Sequence, residues 1–244
     1  MTMSDPARPM RGDGVSAVDR YLALVDISGY SSFLAGVEQA HGEDFSGGLP
    51  AGYRVLGELL EGVVDALGPE FDVIKLEGDA VFAAAPADRL DGRGEAIVDH
   101  LVALYAAFAG RRTALRTTGD DKCTACTAIE HLDLKVVIHR GLAVGQRVAG
   151  REDLQGPAVV AAHRLLKNTV RDRIGYRPYL LVTKPAAGGL GLGDRGFAHA
   201  ESYPDVGRVE ARVLDLADLG GIPPAVPWPA ASGATPWPEL QIVG

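Results

Sequence analysis

Cysteine is nearly absent from this chain of 244 residues: Cys123 and Cys126 are the whole complement. A single Cys-x-x-Cys excludes the disulfide framework of a small secreted protein. No run of apolar residues is long enough to span a bilayer, which predicts no membrane partner. The opening stretch, Met1 to Gly14, is polar and contains Pro and Gly, without the apolar centre of a signal peptide. A cytoplasmic protein is expected. Basic residues are also in the minority, 24 Lys and Arg against 32 Asp and Glu, a net charge of −8. No positive field would draw in a polyanion, so nonspecific nucleic-acid binding is not expected. There is no Gly-x-x-x-x-Gly-Lys-Ser/Thr loop, no Gly-x-Ser-x-Gly elbow and no internal repeat. Gly191-Leu192-Gly193-Asp194-Arg195-Gly196 has dinucleotide-loop spacing but opens no helix and follows no suitable strand.

Hydrophobic residues make up 47% of the chain, enough for a sizeable core. Periodicity predicts strands at Tyr21–Asp26, Phe71–Leu76, Ala80–Ala85, Leu132–His139, Leu142–Val148, Tyr179–Thr183 and Arg208–Leu216. Helices are expected over Ser31–Gln39, Tyr53–Leu67, Ala96–Ala109 and Pro157–Val170, the last with Pro in its first turn. A hairpin turn is expected at Glu77-Gly78 and another turn at Gly141, with loops over His41–Pro50 and Arg111–Lys122. This order predicts an α+β domain whose mostly antiparallel sheet carries helices on one face. It occupies residues 19–218, between a flexible N-terminus (1–18) and an extended Pro-rich tail (219–244) containing Trp228 and Trp237.

The chemistry concentrates in two segments, Val25-Asp26-Ile27-Ser28-Gly29-Tyr30 and Lys75-Leu76-Glu77-Gly78-Asp79. Each sets a carboxylate beside a glycine at the end of an apolar strand. One such Asp can be simple turn chemistry. Two suggest neighbouring strands aiming carboxylates at one point, an arrangement suited to a hard cation such as Mg²⁺ that also carries substrate phosphates. For Lys75, Asp153 and Arg164 the alternatives are a snorkelling strand residue, a solvated carboxylate and a structural ion pair. Cys123 and Cys126, with His131 nearby, supply three of the four ligands zinc needs. A redox pair and ordinary loop residues are the other readings.

These segments, with His139-Arg140-Gly141 and Asp153-Leu154-Gln155-Gly156-Pro157-Ala158-Val159-Val160-Ala161-Ala162-His163-Arg164, resemble the ordered motifs of class III nucleotidyl cyclases. The resemblance runs from about Tyr21 to Leu216. The Cys-x-x-Cys and Arg164-Leu165-Leu166-Lys167-Asn168 resemble a bacterial branch described as a domain of unknown function. The resemblance implies a ferredoxin-like (βαββαβ) cyclase catalytic fold. It also implies formation of a 3′,5′-cyclic nucleotide and pyrophosphate from a nucleoside triphosphate, ATP foremost, with two Mg²⁺ or Mn²⁺ ions.

By that resemblance Asp26 and Asp79 hold the metals, and Ile27, Ser28, Gly29, Tyr30 and Ser31 present N–H groups to phosphates. Lys75 and Asp153 read the base, Arg164 stabilises the transition state, and the two halves of the site meet across a homodimer interface. Two positions depart from the pattern. Val160 stands where an Asn is usual, and the late triphosphate Lys has no counterpart between Phe197 and Val213. A nucleotide-binding regulator without turnover, and a structural module with a Cys-based zinc site, are therefore the alternatives.

Overall fold

The computed structural model describes residues 16–42, 48, 50–118, 128–148 and 151–228. Among the described residues eight strands form one sheet: β1 (Ser16–Ser28), β2 (Asp72–Glu77), β3 (Ala80–Pro86), β4 (Asp133–Val148), β5 (Arg151–Gln155), β6 (Tyr179–Thr183), β7 (Phe197–Tyr203) and β8 (Gly207–Asp215). Their order is β2-β3-β1-β4-β6-β8-β7, with β5 paired to β4. All pairings are antiparallel except β4 with β6.

Strands β1, β3 and β4 read as continuous apolar runs because they are buried on both sides. Tyr21, Ala23, Val25 and Ile27 enter one core, while Leu22 and Leu24 alternate into a second. The first core is covered by α1 (Tyr30–His41), α2 (Ala51–Leu67) and α4 (Gly94–Thr118), reached from β3 through the short α3 (Ala87–Leu90). Leu56, Leu59, Val63 and Leu67 of α2 and Leu101, Leu104, Tyr105 and Phe108 of α4 form the apolar stripes that hold them there. Against the opposite core lies α5 (Pro157–Arg164), through Ala158, Val159 and Ala162. The short α6 (Val170–Ile174), α7 (Lys184–Leu190) and α8 (Leu216–Gly220) complete the described helices.

Several local expectations change. Gly141 is no turn: β4 runs straight through it, paired to Arg20 of the long β1. Its lack of a side chain serves helix packing instead, since a Cβ there would come within 2.9 Å of the Ala158 Cβ on α5. The first part of the expected 111–122 loop is helix, because Arg112 is only 8% exposed and donates to Leu132 O at 2.7 Å. Helix α5 stops at Arg164, where Asn168 accepts from Val170 N (3.0 Å) and restarts the chain as α6. Strands β5 and β7 and helix α7 had no clear periodic signal.

Beyond α8 the Pro-rich stretch expected as tail lies against the domain as far as Trp228. Ala225 N donates to the fully buried Asp133 (2.8 Å), and Val226 N donates to Glu130 O (3.1 Å). Among the described residues no helix is long and apolar enough to cross a membrane.

Candidate functional site

Asp26 occupies the end of β1, cross-strand from both Ala80 of β3 and Lys135 of β4. Asp79 sits in the β2–β3 turn, which needs Gly78 at φ 66°. Its carbonyl accepts from Ile27 N at 3.1 Å, which ties the turn to the end of β1. The chain then bends at Gly29 into α1, whose first turn includes Ser31 and Ser32. Gly29 has φ 89°, a region that glycine adopts freely. Substitution is also blocked by space, since a Cβ would come within 2.5 Å of Trp228 Nε1 and 2.7 Å of the Tyr176 hydroxyl.

These segments surround one cleft of about 370 Å³, lined by Asp26, Asp79 and the whole Ile27–Ser31 turn. The structure thus brings the two predicted carboxylates and the predicted phosphate loop together. Burial raises the Asp26 carboxyl above its usual range, opposed by Lys135, whose Nζ lies 3.0 Å from Oδ1. Asp79 is pushed up to about 6, first by burial and then by the negative charge of Asp26. Two crowded carboxyls that resist ionisation are the electrostatic condition a divalent cation relieves. Their oxygen donors suit Mg²⁺ or Mn²⁺, with phosphate oxygens to complete the shell. Among the described residues no cluster of three or more His, Cys, Asp or Glu forms a metal cage.

Sequence reasoning missed five residues of this cleft: Ser32, Lys135, Arg171, Tyr176 and Trp228. Lys135 did carry a signal, as the lone cation within the Leu134–Ile138 run. The Tyr176 hydroxyl lies 2.5 Å from His131 O and 3.1 Å from Ser28 O, fixing the α1 turn against the segment after α6. Trp228 arrives on the C-terminal strap and stacks on His131, with ring centroids 4.6 Å apart.

The remaining predicted residues lie elsewhere. Lys75 on β2 pairs with Glu77 at 3.1 Å and Asp153 of β5 at 3.7 Å, so the expected Lys75/Asp153 pair is brought together. The Glu77 bond is the main cause that raises the Lys75 ammonium above its ordinary value. Glu77 also meets His163 Nε2 at 2.7 Å, and this links β2 to α5. Lys75, Glu77, Val160, His163 and Arg164 line a second cleft of about 480 Å³. Arg164 bonds Asp205 through Nε (2.8 Å) and Nη2 (2.7 Å). That ion pair is about half exposed and so weakly held. Val160 faces solvent at 46% exposure, and Asn168 is engaged with Leu165 O, Val170 N and the Tyr179 hydroxyl. Asn168 therefore does not stand in for the missing Asn.

Cys123 and Cys126 lie outside the described residues. His131, their suggested companion, sets Nδ1 2.9 Å from Val226 O. That contact ties the ring to the strap.

Residues 56–174 match the family described as "Protein of unknown function (DUF2652)". The chain is 31% identical over 175 residues to "Uncharacterized protein Rv2561/Rv2562" of Mycobacterium tuberculosis, covering 70% of this chain and 78% of that one. Its fold resembles the adenylyl cyclase CyaB from P. aeruginosa, with a TM-score of 0.55, 15% identity, and 82% and 96% of the two chains covered. The guanylyl cyclase Cya2 is similar, with a TM-score of 0.54, 15% identity, and 82% and 93% coverage. The chain belongs to one family with the mycobacterial protein, and its fold is that of the class III nucleotidyl cyclase catalytic domains.

Proposed function

We propose that this protein is a divergent nucleotidyl cyclase that binds a nucleoside triphosphate, ATP foremost, with two Mg²⁺ or Mn²⁺ ions at a homodimer interface in the cytoplasm. The observation that carries the reading is the shared cleft of Asp26 and Asp79, with the turn into α1 opening onto it. Cyclisation is an in-line attack of the ribose 3′-hydroxyl on the α-phosphorus, so positioning and charge neutralisation dominate catalysis. The metal ions would neutralise phosphate charge and favour the ionised hydroxyl, held by Asp26 and Asp79. The Ile27–Ser31 turn orients the phosphate chain. Lys75 and Asp153 face the base edge, Lys75 donating and Asp153 accepting. Arg164, once released from Asp205, offers its guanidinium to the charge that develops on the phosphoryl oxygens.

Lys75 and Arg164 line a different cleft from Asp26 and Asp79, which supports a site completed by a second copy. Val160 and the closed Arg164–Asp205 pair favour a second reading, a cyclase-fold nucleotide binder without turnover. One experiment separates the two. The full chain is incubated with each of the four ribonucleoside triphosphates and Mn²⁺, and cyclic product is sought by mass spectrometry beside equilibrium binding. A cyclase yields cyclic nucleotide that disappears in Asp26→Ala and Asp79→Ala. Metal-dependent binding without product assigns the regulator. Binding that survives both substitutions would sink both readings.

A further inference from the structure

The carboxylate pair leaves part of its own cleft unexplained. Ser28 Oγ and Arg171 Nε and Nη2 are buried and have no hydrogen-bond partner among the described residues. Ser28 is only 4% exposed. Buried polar atoms are overwhelmingly hydrogen-bonded in native proteins, so orphans gathered at one place point to a ligand. These three atoms belong to residues that line the cleft of Asp26 and Asp79.

The geometry also says what kind of ligand. Arg171 rides on α6, with its guanidinium carbon 4.2 Å from the centre of the Tyr176 ring. The hydrogen bonds of the Tyr176 hydroxyl hold that ring in turn. The guanidinium lies over that ring, and its Nε–H and Nη2–H, without a hydrogen-bond partner among the described residues, form a fork that matches two oxygens of one phosphate. The cleft's other cation, Lys135, is already paired with Asp26 at 3.0 Å. No salt bridge joins Arg171 to a carboxylate among the described residues, although Asp26 is near enough to feel its charge. The late triphosphate Lys expected from the cyclase pattern is missing, so a cation from another element has a place to fill.

We propose that Arg171, with the Ser28 hydroxyl beside it, binds the β- and γ-phosphate oxygens of a polyphosphate chain in this cleft. The inference rests on the nucleotide reading and deepens it, naming the residue that grips the part of the substrate leaving as pyrophosphate. The shared chemistry is a metal-bound polyphosphate, so nucleotide and inorganic sources are tested separately.

Full-length wild type, Arg171→Gln and Arg171→Lys are titrated calorimetrically with Mg²⁺ and inorganic tripolyphosphate, ATP or AMP. Arg171→Gln should weaken tripolyphosphate and ATP by roughly 10- to 100-fold, as expected for a lost charge-assisted fork. It should leave AMP unchanged, and Arg171→Lys should recover part of the loss. The melting temperature of Arg171→Gln should change little beside its loss of polyphosphate affinity, since the charge removed forms no salt bridge among the described residues and only stacks on Tyr176; if that variant does not fold, Arg171→Lys against wild type carries the comparison. Equal affinity of wild type and Arg171→Gln for both polyphosphates overturns the inference and leaves the nucleotide reading standing. Arg171-dependent binding of tripolyphosphate by a protein that ignores ATP supports the anion site and removes the nucleotide. A wild type that binds neither overturns both.

Discussion

Asp79 shows how one residue links fold and site. Its carboxyl is pushed up to about 6 from an ordinary value of 3.8, by burial first and by Asp26 second. A raised carboxyl binds its proton more tightly in the folded protein than in the unfolded chain. Its protonated form therefore favours folding below about 4, and that contribution is lost as pH rises toward 6 and beyond. Metal-free protein in chelator should lose melting temperature between pH 4 and pH 6 on this account. Asp79→Asn should flatten that part of the profile, and Mg²⁺ at pH 7.5 should restore what ionisation removes. A wild-type profile identical to that of Asp79→Asn would show that the carboxyl is not buried against Asp26 as described. Asp26, Asp79, Lys75 and Asp153 were legible in the sequence because each sits inside a short local pattern. Arg171 and Tyr176 were not, since a short helix after a broken one leaves no periodicity. Trp228 reaches the cleft only through tertiary docking of a Pro-rich segment.

At the scale of elements, the long central strands and α1, α2 and α4 were readable because burial on both faces leaves continuous apolar runs and helical stripes. Gly141 misled for a physical reason: a glycine between apolar runs looks the same whether it turns the chain or admits a neighbour. Here it admits α5, the helix that carries Val160, His163 and Arg164 into the second cleft. Gly141→Val should push α5 away from β4 and cost about 1–3 kcal/mol, the usual penalty for overpacking, in chemical denaturation. Gly57→Ala on the exposed face of α2, where a Cβ meets nothing within 4 Å, should instead stabilise by about 0.5–1 kcal/mol. Gly141→Val as stable as wild type would mean that α5 does not seat on that glycine. Disturbed seating should also weaken the contact of His163 with Glu77, so the cleft of Lys75 and Arg164 should lose its shape before that of Asp26 and Asp79.

For the whole molecule the decisive fact is that the candidate residues of one chain fall into two clefts. Asp26, Asp79 and the α1 turn serve one cleft, whereas Lys75, Val160 and Arg164 serve another. A ligand as long as a nucleoside triphosphate can use both sets if two copies face each other about a two-fold axis, each lending its metal end to the other's base end. Asp79→Asn then disables one half of every site, and Lys75→Ala combined with Arg164→Ala disables the other half. Each variant alone forms dimers without a complete site. Mixed after unfolding and refolding, half of the dimers pair unlike chains, and in each of those one site carries both lesions while the other carries none. Metal-dependent binding of a triphosphate should therefore recover to about a quarter of the wild-type stoichiometry on random mixing. Recovery no greater than the sum of the two variants alone would confine each site to a single chain, and the two clefts would then have to be joined by a large motion of β2 and α5 toward β1. Complementation requires no catalysis, so it tests the shared site whether the protein turns its nucleotide over or only holds it.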